Sequence, residues 1–175
     1  MRLFTIKSSH GFTLIEIIVV MTIIGVLAAI GIGSFTTSQV KSRDSRRKSE
    51  LRQITTALEV YYNDFGEYPT GLNGLIMGCG VNGVQQCSWG APFTANNGGS
   101  DIVYMVKLPE DPSSHEYFYV SDGTEYQIYA RLENLNDRDI PVNGSDEPLV
   151  YLGADCGMTC NFGIASPNSV LADTA

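Results

Sequence analysis

The chain has 175 residues and a formal net charge of −8, and 43% of its residues are apolar, which allows one modest domain besides a membrane segment. Residues 41–52 carry six basic and two acidic side chains, whereas residues 53–175 carry three basic and sixteen acidic ones. Such an acidic C-terminal region repels a nucleic-acid backbone, so any DNA binding would have to use residues 41–52. The sequence also lacks a nucleophile motif, a phosphate-binding loop and a helix with paired metal ligands, and we therefore do not expect an enzyme.

Residues 12–35 form an apolar run of twenty-four residues in which Glu16 is the only ionisable side chain. A helix of about 20 apolar residues is long enough to cross a bilayer. A carboxylate at the centre of such a span costs about 2.5–3.5 kcal/mol, so Glu16 indicates a functional partner. The alternative is a plain single-pass anchor in which Glu16 lies near the end of the span, within reach of water.

The residues before this run are short and basic and end in a glycine. Residues 1–11 carry Arg2 and Lys7, and the apolar run is too long for the h-region of a secretory signal, so we expect cleavage before it. The stretch Gly11–Glu16 (Gly-Phe-Thr-Leu-Ile-Glu) resembles the processing motif of type IV pilins and type II secretion pseudopilins. The resemblance implies that a prepilin peptidase cleaves after Gly11 and then N-methylates Phe12.

The same resemblance implies a role for Glu16 in assembly. In this family the carboxylate pairs with the Phe12 amine of a neighbouring subunit, and pairing relieves the cost of burying either charge alone. The implied partners are other copies of the chain in a helical homopolymer, the prepilin peptidase, and an inner-membrane assembly platform with its ATPase. Before assembly the chain would be a single-pass inner-membrane protein with its head outside the cytoplasm, and afterwards part of an extracellular pilus.

Small residues recur every four positions in the apolar run. Gly25, Ala29 and Gly33 share one helix face, and small residues at this spacing allow close packing of helices in an apolar medium. Ordinary use of small residues in membrane helices explains the pattern equally well. Many pilins carry a proline in the later part of this helix, whereas this chain has glycines at positions 31 and 33, which would favour local unwinding.

The pattern becomes amphipathic over residues 36–65, where apolar residues recur at three- and four-residue steps. We expect the helix to end near Phe65, because Gly66 suits the position after a helix and a proline follows shortly. The basic residues 41–52 would by charge bias alone lie on the cytoplasmic side, but the leader motif argues against this. They would then meet anionic lipid headgroups, acidic surfaces of neighbouring subunits, or solvent.

The head begins with a glycine-rich segment. We expect residues 66–100 to form a long loop with one helical turn near Leu72–Met77, pinned to the core by Trp89 and Phe93. Residues 101–108 fit a short helix or a strand. The following stretch, Leu108–Pro112, resembles major pseudopilins and simple bacterial pilins, as does the helix-ending segment Tyr61–Pro69.

The clearest strand signal is an aromatic hairpin. Residues 116–120 and 125–132 are rich in aromatic and β-branched residues and flank an Asp-Gly pair that suits a tight turn. The residues expected to face the helix are Tyr126, Ile128, Ala130 and Leu132. A third strand is expected at Leu149–Leu152, followed by an irregular, partly disordered tail. The fold class is therefore α+β: a long N-terminal helix packed on a small antiparallel sheet of three or four strands, as in pilins.

The four cysteines lie in the second half of the chain. Their even number and glycine-rich context indicate disulfides in an oxidising compartment, with zinc as the alternative, although the spacing fits zinc fingers poorly and no histidine flanks them. The simplest of three pairings is Cys79–Cys87 with Cys156–Cys160, and spacing does not prove it.

No cofactor is expected, with calcium as a weak alternative. Major pseudopilins bind calcium in a loop of this region, and the nearest candidates here are Asp137, Asp139 and Asp146. The spacing gives no match residue by residue, so a solvated acidic loop is the default. His115, in a turn before a strand, is expected to be exposed to solvent.

We expect four segments: a cleaved leader over residues 1–11, a membrane and filament-core helix over 12–35, an amphipathic helix over 36–65, and a globular head with disulfide-bearing loops over 66–175. The resulting interpretation is a structural subunit of an extracellular type IV pilus-like filament. One alternative is a pseudopilin of a type II secretion system. The other is a minor pilin at the filament tip that binds a surface or takes up DNA.

Overall fold

The computed structural model describes residues 11–174, apart from the side chains of residues 30–34. The chain divides into two compact units, one ending at Gln39 and the other running from Val40 to Ala175. One helix, α1 (Leu14–Phe65), contributes to both units and is followed by eight strands. The strands are β1 (Thr70–Leu72), β2 (Leu75–Val81), β3 (Gln85–Cys87), β4 (Phe93–Asn96), β5 (Ile102–Met105), β6 (Phe118–Ser121), β7 (Tyr126–Ala130) and β8 (Phe162–Ala165).

In the first unit the large apolar side chains of α1 are exposed on every side of the helix. Their exposed fractions range from 49% at Val19 to 85% at Phe12, which lies two residues before the helix. Among the residues described in full, no helix has both the length and the hydropathy of a membrane span.

In the second unit α1 buries one face, as its amphipathic pattern predicts. Leu51, Ile54 and Leu58 are completely buried and form the centre of the core together with side chains of both sheets. The helix ends at Phe65, and Gly66 follows with a φ of 77° and donates its N–H to the carbonyl of Tyr62. This end agrees with the prediction from the glycine and the proline that follows it.

The prediction of a long loop over residues 66–100 is wrong, because this segment builds most of a five-stranded sheet. The strand order is β1-β2-β4-β5, with β3 also paired to β2; only the β2–β4 pairing is parallel. The turns after β1 and β2 each contain an Asn-Gly pair in which both residues have positive φ. Such pairs close tight hairpins, so the glycines of this segment join strands. Phe93 is completely buried and Trp89 packs partly buried against the core, as predicted.

The second sheet contains the predicted hairpin, but its third strand comes from a different part of the chain. The strand order is β6-β7-β8, all antiparallel. Strand β8 therefore takes the place predicted for Leu149–Leu152, of which Tyr151 forms only an isolated bridge with Thr174. The buried side chain of Asn161, just before β8, supports this pairing: it accepts a hydrogen bond from Leu132 N–H and donates one to Leu132 O. These bonds continue the hydrogen-bond ladder between the two segments, and residues 162–165 then pair with β7.

Candidate assembly site

The N-terminus of α1 is closed by reciprocal hydrogen bonds between Thr13 and Glu16. The Glu16 Oε2 atom accepts the Thr13 N–H at 2.8 Å and the Thr13 hydroxyl at 2.7 Å, and the Glu16 N–H donates to Thr13 Oγ1 at 3.3 Å. This is a capping box, which satisfies backbone donors that a helix start leaves unpaired. The Thr-x-x-Glu spacing was a signal for it in the sequence. The Glu16 carboxylate therefore caps the start of α1. The family resemblance predicts an assembly contact for the same carboxylate.

The side chains on both sides of Glu16 form a continuous apolar surface. The exposed large apolar residues of this surface are Leu14, Ile15, Ile17, Ile18, Val19, Val20, Met21, Ile23, Ile24, Val26 and Leu27. An apolar surface of this extent marks a site of association with other chains or with lipid. Gly25 and Ala29 are also exposed, while the surroundings of Gly33 and the leader residues 1–10 lie outside the described part.

In the second unit a buried ion-pair cluster joins α1 to two loops of the head. Arg47 is completely buried. Its guanidinium donates to Asp111 through Nε (2.6 Å) and Nη2 (2.9 Å), to Asp44 through Nη1 (2.7 Å), and to Ser113 Oγ through Nη2 (2.7 Å). Nη1 also lies 2.8 Å from Glu133 Oε1. Three carboxylates around one guanidinium keep this buried charge compensated.

The acidic members of this cluster are held by further contacts. Asp44 accepts the backbone N–H groups of Glu133 and Asn134 at 2.9 and 2.8 Å, and Glu133 also pairs with Arg43. The hydrogen bond from Arg43 outweighs burial and lowers the pKa of Glu133 from 4.5 to about 2. For Asp111, burial raises the pKa, but hydrogen bonds from Arg47 and Ser113 outweigh it and the net shift is downward.

Part of the basic stretch at residues 41–52 is therefore not the free surface that the sequence predicts. Arg43, Arg46, Arg47 and Lys48 all form ion pairs with acidic residues of the same chain. The expected contact with lipid headgroups, acidic neighbours or solvent is wrong for Arg43, Arg47 and Lys48, whose counter-charges lie in the head. Arg46 pairs with Glu50 of the same helix and its side chain is 61% exposed, as expected for a solvated helix face.

All four cysteines are paired, as Cys79–Cys87 and Cys156–Cys160, which leaves no thiolate for the zinc alternative. The first disulfide joins β2 to β3, and the second closes a short loop before β8. The expected exposure of His115 is wrong: its side chain is 17% exposed, and Nδ1 lies 2.7 Å from Ser113 Oγ.

The three weak calcium candidates do not come together around an open position. Asp137 and Asp139 both pair with Lys48, whereas Asp146 lies in a turn in which its N–H donates to the Asn143 carbonyl. Among the described residues, no group of three or more histidine, cysteine or acidic side chains is arranged to hold a metal ion.

A long N-terminal helix packed on antiparallel-rich sheets, and preceded by the Gly11–Glu16 motif, defines a pilin-like protein. The family model of the prokaryotic N-terminal methylation motif matches residues 6–32, and that of type II secretion system protein G matches residues 34–134. The chain belongs to the type II secretion system protein G family.

Curated relatives agree with this assignment. The chain is 31% identical over 148 residues to the type II secretion system core protein G of Pseudomonas aeruginosa, covering 80% of this chain and 97% of the relative. It is 32% identical over 144 residues to the Escherichia coli K12 protein of the same name, covering 82% and 91%. The type IV major pilin protein PilA of Myxococcus xanthus is 40% identical over 60 residues, 34% of this chain and 27% of the relative. No solved structure matches significantly.

The chain is therefore a pilin-like filament subunit, as the sequence predicts. This assignment includes both a type IV pilus, which the sequence favours, and a type II secretion filament. The names of the relatives bear on the choice between the two. The relatives that match most of the chain are secretion proteins by name, and the pilin match covers about a third of it.

Proposed function

We propose that this chain is the pseudopilin of a type II secretion system, a subunit that polymerises through residues 12–35 into a short periplasmic filament. The observation that carries this proposal is the extent of the match: identity to core protein G of Pseudomonas aeruginosa spans 97% of that protein. The match to a type IV pilin spans only 27% of the pilin. A relationship that includes the head supports a shared role better than one limited to about 60 residues.

Processing creates the partner that Glu16 needs. Cleavage after Gly11 would free the amine of Phe12, which is then N-methylated, and the amine of one subunit pairs with the Glu16 carboxylate of the next. Both groups enter an apolar surrounding during assembly, where either charge alone is costly and a pair is tolerated. The hydrogen bonds from Thr13 satisfy the carboxylate before that pairing occurs.

The remaining segments fit this role. Residues 12–35 would hold the subunit in the inner membrane before assembly, and residues 36–65 and 66–175 would lie outside the cytoplasm. The two disulfides support an oxidising compartment for the head. The partners are other copies of the chain, the prepilin peptidase, and the inner-membrane platform with its ATPase. The role requires no catalysis, cofactor or nucleic acid.

Deletion of this chain in its source organism separates the two kinds of filament. If the chain is a secretion pseudopilin, deletion abolishes export of folded proteins to the medium, and sheared cell-surface material from the wild type lacks the chain. Long sheared filaments that contain the chain, together with unchanged secretion in the deletion strain, would establish the type IV pilus instead. The match to the Myxococcus xanthus pilin keeps that function as the second candidate.

The assembly contact is tested with Glu16→Gln. We expect a severe loss of filaments, because the amide cannot compensate the charge of the neighbouring amine. The matched control is Glu67→Gln, at an exposed position of the head, which should assemble normally. Mass spectrometry of the mature N-terminus should find methylated Phe12 in both variants. Normal filament yield from Glu16→Gln would show that the pairing is not required.

A further inference from the structure

Lys48 of α1 lies between two carboxylates of the segment that follows the second hairpin. Its Nζ atom forms ion pairs with Asp137 and, at 2.6 Å, with Asp139. The side chains of Lys48 and Asp137 are only 16% and 21% exposed. Asp139 also donates its N–H to Asp137 Oδ1 at 3.0 Å, and the ammonium lies 5.6 Å from the ring centroid of Phe162 in β8.

The Lys48 ammonium therefore links three parts of the second unit: α1, the segment around Asp137, and the edge of the second sheet. The hydrogen bond from Asp139 N–H to Asp137 closes a turn next to it. Burial lowers the pKa of Lys48, but hydrogen bonds to Asp137 and Asp139 outweigh it and the net shift is upward. On the lysine side, the stabilisation is therefore complete below the ordinary pKa of 10.5 and is lost as the pH rises above it.

Asp137 and Asp139 are two of the three weak calcium candidates, and their surroundings do not fit that ion. Calcium requires six to eight oxygen ligands at about 2.3–2.6 Å, whereas here two carboxylates face a positive charge. The neighbouring carboxylate of Asp44 is already occupied by Arg47 and two backbone N–H groups. A divalent cation beside the ammonium would add a strong repulsion.

We propose that Lys48 replaces a structural calcium ion in this chain, so that the head folds without a divalent cation. A metal stabilises a fold in proportion to the logarithm of its concentration and is removed by chelators. A lysine side chain is part of the polypeptide and is always present. The inference concerns the head alone and holds for either kind of filament, so it does not depend on the proposed function.

The first test uses the full-length mature protein in detergent micelles, with thermal unfolding followed by circular dichroism. The Tm should be the same in excess EGTA and in millimolar calcium chloride. A rise of the wild-type Tm with calcium, or saturable calcium binding in calorimetry, would overturn the proposal.

The second test removes the charge of Lys48 and keeps the length of the side chain. Lys48→Met should lower the Tm by about 4–8 °C, because it leaves the partly buried carboxylate of Asp137 and the half-exposed carboxylate of Asp139 unpaired. Lys48→Arg, which retains the charge, should recover most of the loss. The control is Lys107→Met, whose ion pair with Glu110 is exposed on both sides and should change the Tm by less than about 1 °C.

A double-mutant cycle distinguishes this cross-link from a general effect of the substitution. Asp137→Asn should lower the Tm in the wild-type background and have little effect in the Lys48→Met background, since its partner is then absent. Additive losses in the two backgrounds, or an unchanged Tm in Lys48→Met, would show that the ammonium does not carry the structural role of a cation.

Discussion

Arg47 occupies a position on α1 that an apolar residue would normally take. It precedes Leu51 by one helical turn and so continues the buried stripe of Leu51, Ile54 and Leu58. The stripe is apolar where it faces the sheets and polar where it faces the loops at residues 109–115 and 131–134. Since loops present carboxylates and backbone N–H groups, a guanidinium with five donors suits this end of the interface better than an apolar chain.

Removal of the Arg47 guanidinium should destabilise the head strongly. Arg47→Met leaves Asp44 and Asp111 buried with no positive charge beside them, and we expect the free energy of unfolding to fall by about 3–5 kcal/mol. Urea denaturation followed by tyrosine fluorescence measures the change. Arg46→Met is the matched control: its side chain is 61% exposed, so the loss should stay below about 1 kcal/mol. Equal effects of the two substitutions would refute the role of the buried cluster.

The depressed pKa of Glu133 predicts a defined loss of stability in acid. A carboxylate whose folded-state pKa is about 2 rather than 4.5 contributes stability that is complete above the higher value and is lost as the pH falls towards the lower one. Asp111 and Asp137 shift in the same direction. We expect the Tm to decrease steadily between about pH 5 and pH 2. Glu133→Gln should have a flatter pH profile; an unchanged slope would contradict the assignment.

At the scale of elements, the two sheets meet where β1 crosses β6. Gly71 in β1 packs against the backbone of β6, and a Cβ atom at this position would lie 2.8 Å from Ser121 N and 3.0 Å from Val120 Cα. The N–H of Tyr119 also donates to the Gly74 carbonyl across the same junction. Only a residue without a side chain allows the two backbones to approach this closely.

Gly71→Ala should therefore separate the sheets. The methyl group meets main-chain atoms that cannot rotate away, and we expect a loss of about 1–3 kcal/mol in the free energy of unfolding. Gly99→Ala is the control, because a Cβ atom there meets nothing within 4 Å among the described residues and should be nearly neutral. Chemical denaturation of both variants tests the difference. A neutral Gly71→Ala would mean that the junction can open at little cost.

At the scale of the whole molecule, the two compact units differ in surface character. The first exposes apolar side chains around its helix, whereas the second has a continuous core and contains most of the acidic residues. A single chain thus combines a surface that associates with one whose negative charge favours solubility.

Removal of residues 1–35 should separate these properties. We expect the shortened chain to be monomeric without detergent in analytical ultracentrifugation, and the full-length chain to aggregate unless detergent covers residues 12–29. A Gly99→Ser variant of the full-length chain, altered only in an exposed loop of the head, should still require detergent. Aggregation of the shortened chain would place the associating surface on the head.

Local signals explain what could be predicted from the sequence. The Gly11–Glu16 motif, the end of α1 at Phe65 and the β6–β7 hairpin each depend on residues within a few positions of one another. The two Asn-Gly turns after β1 and β2 were equally local signals. The abundance of glycine in this segment nevertheless predicts irregular structure, because glycine is common both in loops and in tight hairpin turns.

The sequence by itself determined that this protein is a pilin-like filament subunit, because the assembly motif, the apolar run and the amphipathic stripe are encoded in consecutive residues. Only the tertiary structure decided which basic residue meets which acid and which segment completes the second sheet. Arg47 and Asp111 are 64 positions apart, and Lys48 and Asp139 are 91 apart. From the sequence alone, any basic residue could pair with any acidic residue. In the fold, burial and hydrogen-bond geometry select one partner for each, and the side chain of Asn161 selects β8 in the same way.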